Sequence, residues 1–330
     1  MAGGGGNRLR PITATRPKPF VPVGGRPVVE YVLDALGAAG IRDIILTTSY
    51  RPQDLLEHLG GGDERGQTLF YSVEDRPRGT AGGVKRVGGL LGNEAFLVAS
   101  GDVFADLDLA GLIAHHRKSG ALATMGLARV DDPTPHGIVD VAADGRVAGF
   151  VEKPSRADAL TDLASAGFYV LEPEVLDLVP SDRSFDFAGD LFPLLLERGE
   201  SLHACEMAGG WIDIGRPADL VRATSLVAER AGGAIVDPSA HVPHDVVLDR
   251  SAIHARATLG NAVIARRSIV LEDASVDRGA ILDGSIVGAG ARIGRGARLT
   301  GCFLGDGAIV APGAVLNDLK LDVAQSVPFL

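Results

Sequence analysis

The chain has 330 residues, 46% of them apolar and 22% charged, a balance that can bury a sizeable core and leaves room for two domains. A net charge of -10 excludes a general nucleic-acid binder with a basic stripe, while a small anionic ligand needs only a few placed cations and remains allowed. Two distant cysteines, Cys205 and Cys302, exclude a disulfide framework, and no apolar run long enough to span a bilayer or to form a signal peptide is present. These features point to a cytoplasmic protein.

The first two thirds alternate between two periodicities. PVVEYVLDALGAAG carries apolar residues at helical spacing and ends at Gly40; IRDIILTTS then reads as a buried strand. The pair recurs with a helix over residues 81–91 and the buried strand AFLVASGDVF, and again with a helix over 109–119 and the strand ALATMGLARV. Such alternation predicts an α/β domain with a mostly parallel sheet covered on both faces. His115 and His116 fall on the third helix and read as solvated residues.

After about Arg230 the aromatics nearly vanish. Val247, Ile253 and Leu259 fall six apart, as do Ile281, Val287, Ile293 and Leu299, and then Ile309 and Val315. Most have a small residue two positions earlier, such as Ser251, Ala257, Ser285 and Ala291. A six-residue period with a small corner residue predicts a hexapeptide β-helix in which these aliphatics point inward. The period slips between Leu259 and Ile281, which predicts distorted coils there.

The glycine-rich start, AGGGGNRLRPIT followed by RPKPFVPV, lacks the GK[ST] ending of a P-loop ATPase but can offer backbone N–H groups to phosphates. With YSVEDRPRGTAGG, VASGDVF, HGIVDV, FVEKP, SAGFYVL and WIDIGRP in this order, it resembles the sugar-1-phosphate nucleotidylyltransferases, or NDP-sugar pyrophosphorylases, over essentially the whole chain. The resemblance implies a Rossmann-like, doubly wound mixed-sheet nucleotidyltransferase domain over residues 1–230. It further implies a left-handed parallel β-helix over 231–317 and a tail over 318–330. The reaction implied is attack of a sugar 1-phosphate oxygen on the α-phosphate of a nucleoside triphosphate, with release of pyrophosphate. Gathering so many negative charges makes positioning and charge stabilisation the main tasks.

The resemblance also assigns roles. Gly3, Gly4, Gly6 and Asn7 line the phosphate loop; Arg8 and Lys18 neutralise the triphosphate; Glu74, Gly79 and Thr80 approach the nucleobase. His136, Gly137, Glu152 and Ser165 line the sugar pocket, Lys153 meets the sugar phosphate, and Asp102 and Asp213 hold Mg²⁺. Asp102 ends a buried strand, where ligands bind in α/β sheets, although a lone Asp there is as readily a cap. Asn7, Arg78, Ser100 and Ser165 depart from the family's usual residues.

In the family a further short strand leads into the glycine loop, so the natural start is expected to lie upstream of Met1. The pattern VDDPTPHGIVDVAADGRVAGFVEKP looks most like mannose-1-phosphate guanylyltransferases, with GTP and a hexose 1-phosphate as partners. Glucose-1-phosphate thymidylyl-, uridylyl- or adenylyltransferases are the alternatives. A non-catalytic regulatory relative is another reading, against which Arg8, Lys18, Asp102, Lys153 and Asp213 all stand. An acyltransferase role for the β-helix has only His241, His244 and His254 to draw on, so homo-oligomerisation through the helix is preferred.

Overall fold

The computed structural model describes Met1 and residues 6–327. Among these, Met1 and residues 29–211 form one compact unit, and residues 6–28 with 212–327 form the other. Residues 6–28 are thus grouped with the C-terminal part of the chain rather than with the sheet that follows them.

In the first unit the strand Asp43–Thr48 runs parallel to Thr68–Val73, with the helix Pro52–Leu59 on the connection. The larger sheet is mixed rather than mostly parallel. Leu202–Glu206 lies parallel to Ala123–Arg129, but Leu163–Leu171 runs antiparallel to Ala123–Arg129 and to Phe96–Ala99. The reason is local: Leu163–Leu171 is delivered by the hairpin Gly137–Val141/Val147–Glu152, not by a helical crossover. Both antiparallel neighbours follow from that entry direction.

AFLVASGDVF is not one strand but two, Phe96–Ala99 and Val103–Leu107, separated by the turn that carries Asp102. The following helix, Leu109–Ser119, starts where Asp108 accepts from the Gly111 amide (2.9 Å) and stops at Gly120 in the left-handed region. His116 on this helix is buried, not solvated: Nδ1 lies 2.8 Å from Thr124 Oγ1 and Nε2 3.2 Å from Glu172 Oε1. Two polar partners on neighbouring elements are what let an imidazole sit in a core. Below the sheet, Tyr169, Phe187 and Phe192 pack edge-on or tilted at centroid distances of 4.9–5.8 Å.

The second unit ends in a parallel β-solenoid of three sheets. Each coil is 17 residues long, because the Ser268 amide meets the Ser251 hydroxyl, the Ser285 amide meets Ser268, and the Cys302 amide meets Ser285, always 17 positions on. The inward residues therefore advance by six, six and then five: Ile253, Leu259, Ala265, Val270, Val276, Leu282, Val287, Ile293, Leu299 and Leu304 are all buried. The apparent slip after Leu259 is the five-residue side of a regular coil, so no coil is distorted there. The same one-residue phase step turns Val247, Ile309 and Val315 outward, 49%, 46% and 65% exposed, where a strict hexad predicts them inside. Past residue 317 the chain does not become a tail, since Lys320–Leu321 and Ser326–Val327 continue the ladders. The helix Pro217–Arg230 packs against the first solenoid strand and against Pro22–Val23, with the Gly24 amide donating to Thr224 Oγ1 at 3.3 Å. No helix among the described residues is long and apolar enough to cross a membrane.

One feature of the first unit stands apart from its close packing. A cavity of about 840 Å³, lined mainly by apolar side chains, runs between Ile44–Thr47 and Phe96–Ala99, with Met1 at its margin. Met1 donates to the Ala99 carbonyl and accepts from the Gly101 amide, both at 2.8 Å, the two bonds of a parallel pairing. A strand inserted here would find apolar walls and open backbone groups on either side, the setting expected for a segment leading into the glycine loop. An apolar, β-branched extension of about five residues fused ahead of Met1 is expected to occupy this slot and raise Tm by several degrees in a thermal melt. An unchanged Tm would mean that the slot does not take a strand.

Candidate functional site

The segment that carries Arg8 and Lys18 has little regular structure: three 3₁₀ turns, Asn7–Leu9, Ile12–Ala14 and Lys18–Phe20, and a two-residue ribbon. Its order comes from burying Leu9, Ile12, Val21 and Val23, each 0–1% exposed, and from Thr13 Oγ1 donating to the Gly6 carbonyl at 2.7 Å. Gly6 takes φ 56°, which lets the chain turn into Asn7; Asn7 and Arg8 are exposed. Gly3 and Gly4 lie outside the described residues.

Lys18, Arg8 and Asp213 are brought together. Lys18 Nζ is 3.7 Å from Asp213 Oδ1, with side-chain exposures of 13% and 24%. A Cβ added to Gly215 would lie 3.3 Å from Asp213 Oδ2 and 3.4 Å from Arg8 Nη2, so both charged groups converge over that bare backbone. The absence of a side chain at Gly215 in WIDIG therefore makes room for the charges. Asp219 Oδ2 lies 3.6 Å from the same point, so two carboxylates stand among the two cations and the cluster is a balanced group of charges.

The first unit holds the remaining site residues. Gly79 begins the helix Thr80–Val87 at φ 77°, and a Cβ there would sit 2.5 Å from the Phe185 carbonyl oxygen. Only glycine fits, because the segment is latched to 185–187: the amides of Ala81 and Gly82 donate to the Phe185 carbonyl, and the Thr80 amide and hydroxyl donate to Asp186 Oδ1 at 2.8 and 3.0 Å. Glu74 Oε1 lies over Gly83 in the same helix, 2.5 Å from where a Cβ would be. Glu74, Gly79 and Thr80 thus lie along the first half of this helix, whose leading N–H groups are already taken up by Phe185 and Asp186.

His136, Gly137, Glu152 and Lys153 are neighbours through the antiparallel hairpin, where Gly137 pairs with Glu152 and the Lys153 amide donates to the His136 carbonyl at 2.9 Å. Lys153 pairs with the Glu152 carboxylate and holds φ 48°, an uncommon conformation for a lysine and one that clusters at functional sites. The Ser165 hydroxyl is 3.2 Å from the Tyr169 hydroxyl. Burial pushes the Tyr169 phenol up to about 12, the Ser165 hydrogen bond opposes this, and the charges of Glu152 and Asp102 add to the rise. These two carboxylates therefore act on one buried hydroxyl and make this wall electronegative.

Sequence reasoning missed three residues. Trp211 donates from Nε1 to the Ala166 carbonyl at 2.9 Å and meets the His136 ring edge-on at 5.4 Å, so it ties HGIVDV to SAGFYVL. Asp186 fixes Thr80, and Tyr169 faces Ser165. The lone tryptophan was the one available signal; nothing in SFDFAGD distinguishes Asp186 from its neighbours.

Asp102 belongs to the first unit and Asp213 to the second. Among the described residues no group of three or more His, Cys, Asp or Glu side chains is poised to hold a metal ion.

Comparison with known proteins bears on the same residues. A nucleotidyl transferase family model matches residues 1–230, and a model of the GMPPB C-terminal domain matches 230–325. A mannose-1-phosphate guanylyltransferase of Mycobacterium tuberculosis is 37% identical over 81% of this chain and 74% of its own. A mannose-1-phosphate guanyltransferase of Kluyveromyces lactis is 35% identical over 73% of this chain and 72% of its own. Among solved structures, one titled as a putative glucose-1-phosphate thymidylyltransferase of Bacillus anthracis in complex with a sucrose aligns with a TM-score of 0.62 at 30% identity. It covers 68% of this chain and 92% of that one. With a nucleotidyl transferase model over residues 1–230 and relatives at 35–37% identity, this chain belongs to the nucleotidyl transferase family.

Proposed function

We propose that the protein joins GTP and mannose 1-phosphate to give GDP-mannose and pyrophosphate. The observation that carries this is the charged cluster of Arg8, Asp213 and Asp219 over Gly215, with Lys18 against Asp213, in a chain whose relatives named for this reaction align across most of their length. A phosphate oxygen of the sugar 1-phosphate attacks the α-phosphorus in line; that P–O bond forms as the bond to the β-phosphate breaks, and pyrophosphate leaves. Arg8 and Lys18 stabilise the charge on the triphosphate and the leaving group. Gly3, Gly4, Gly6 and Asn7 offer backbone and side-chain donors to the same phosphates.

The base is received at the start of the helix Thr80–Val87, beside Glu74, where Gly79 packs on the Phe185 backbone and fixes the segment. His136, Gly137, Glu152 and Ser165 receive the sugar, with Lys153 on its phosphate. Asp102 and Asp213 would hold Mg²⁺, which when bound supplies charge neutralisation on the phosphate oxygens. The free cysteines fit a reducing cytoplasm. Homo-oligomerisation through the solenoid also belongs to this reading, supported by the outward-facing Val247 and Val315.

A second reading exchanges base and sugar while keeping the chemistry. It has support from a UTP–glucose-1-phosphate uridylyltransferase of Synechocystis, 34% identical over 70% of this chain and 63% of its own length.

A pyrophosphate-release panel crossing GTP, dTTP, UTP and ATP with mannose, glucose and N-acetylglucosamine 1-phosphates is expected to show the highest kcat/KM for GTP with mannose 1-phosphate. No turnover with any pair would reject the enzymatic reading. Asp213→Asn should lower kcat by about 10²-fold or more, and near-normal turnover would remove Asp213 from the site. Gly79→Ala, forced against the Phe185 carbonyl, is expected to raise KM for the nucleotide and lower Tm. Unaltered values for both would show that the Phe185 latch yields.

A further inference from the structure

The segment before Lys18 is gripped by the solenoid. Thr15 Oγ1 donates to Asp306 Oδ2 at 2.5 Å, and Arg16 Nη2 lies 3.0 Å from Glu272 Oε1 and 3.5 Å from Asp306 Oδ2. Arg16 and Asp306 are each only 17% exposed, Glu272 34%, so solvent screening is weak. The two acids occupy the same position two coils apart, and the residue between them in that column is Ala289. The methyl of Ala289 leaves the space between the two carboxylates open. The Ala289 amide donates to the other oxygen of Asp306 at 2.8 Å, which fixes that carboxylate to the ladder.

This grip reaches Lys18 because the intervening chain is stiff. In Arg16-Pro17-Lys18-Pro19 the two proline rings lock φ on either side of the lysine, and Pro17 has φ -66°. An arginine held at one end leaves the Lys18 stem few ways to move. Buried His254 lies near Glu272, Arg16 and Asp237; desolvation holds its ring neutral, with the pKa lowered to about 4. Near neutral pH it therefore does not compete with Arg16 for the two acids.

We infer that Arg16 is a positioning residue, held by Glu272 and Asp306 so that the solenoid aims Lys18 at the nucleotide phosphates. This rests on the nucleotidyl-transfer reading above. The solenoid is then a working part of the transfer machinery as well as a surface for assembly.

The test uses the full chain and two readouts. Pyrophosphate release is measured for Arg16→Met, Arg16→Lys, Glu272→Gln with Asp306→Asn, and all three neutral changes together. Hydrogen exchange of the amides over residues 13–20 is measured on the same proteins. Arg16→Met and the double acid variant are each expected to lose about 10- to 100-fold in kcat/KM for the nucleotide. KM for the sugar phosphate should stay within about twofold, Arg16→Lys should recover part of the loss, and the triple variant should lose no more than Arg16→Met, as one shared interaction requires. Exchange over 13–20 should rise in the variants while the strands of the first unit keep their protection.

Nucleotide kcat/KM within about twofold of the parent in Arg16→Met would overturn the positioning role. Unchanged exchange over 13–20 would overturn the grip itself, whatever the activity. A parent inactive with every substrate pair, but with exchange that rises in the variants, would overturn the transfer reading and leave the grip standing. Should Arg16→Met fail to fold, the acid variant alone decides, since each of its changes removes a charge and keeps the shape.

Discussion

Residues 6–28 bring Arg8 and Lys18 to Asp213 although no element over Asn7–Phe20 is longer than one turn. A chain of this kind loses roughly 1–2 kcal/mol of conformational entropy per residue on being fixed. Its own hydrogen bonds are too few to offset that, so its shape has to be imposed from outside. Three anchors do so: the apolar residues Leu9, Ile12, Val21 and Val23, the Gly24 turn against the helix Pro217–Arg230, and the ion pairs of Arg16 with the solenoid. Within the segment so held, Lys18 lies 3.7 Å from Asp213. The anchors also explain why the segment groups with the C-terminal part of the chain and not with its sequence neighbours.

Most of the remaining candidate residues are placed by backbone pairing. The register that sets Gly137 opposite Glu152 brings four predicted residues together without any contact specific to them. The Phe185 carbonyl, by accepting from Ala81 and Gly82, holds the first turn of the Thr80–Val87 helix with its N–H groups clustered. Charge enters in small amounts: Arg8 with the carboxylates of Asp213 and Asp219 over Gly215, Lys18 against Asp213, and two carboxylates acting on Tyr169.

The sequence discloses some of this directly. Periodicity alone locates the helix Leu109–Ser119 and the strands Asp43–Thr48 and Ala123–Arg129, because each buries one stripe or run that the pattern marks. It misjudges strand direction around Leu163–Leu171, since alternation of helix and strand says nothing of a hairpin inserted between them. His116 reads as polar and is in the core because its partners, Thr124 and Glu172, come from elements that only folding brings near. Motif order points to Lys18, Asp213, Glu152 and Lys153, whereas Asp186 and Tyr169 stay hidden. Their contribution is a hydrogen bond to a residue more than a hundred positions away in one case, and a strand bulge in the other.

The solenoid's 17-residue coil has a consequence for how such a chain can change length. Its serine column, Ser251, Ser268 and Ser285, passes each hydroxyl to the amide one coil above, and the pattern ends on the thiol residue Cys302. A one-residue insertion on any flat side would carry every later aliphatic out of the core and every later hydroxyl off its amide. Whole coils are the natural increment, and any added coil moves the next acid of the Glu272 column by one strand spacing, about 4.8 Å. The distance from Glu272 to Asp306 is thus quantised by the ladder, and the arginine that spans it selects one value from a discrete set.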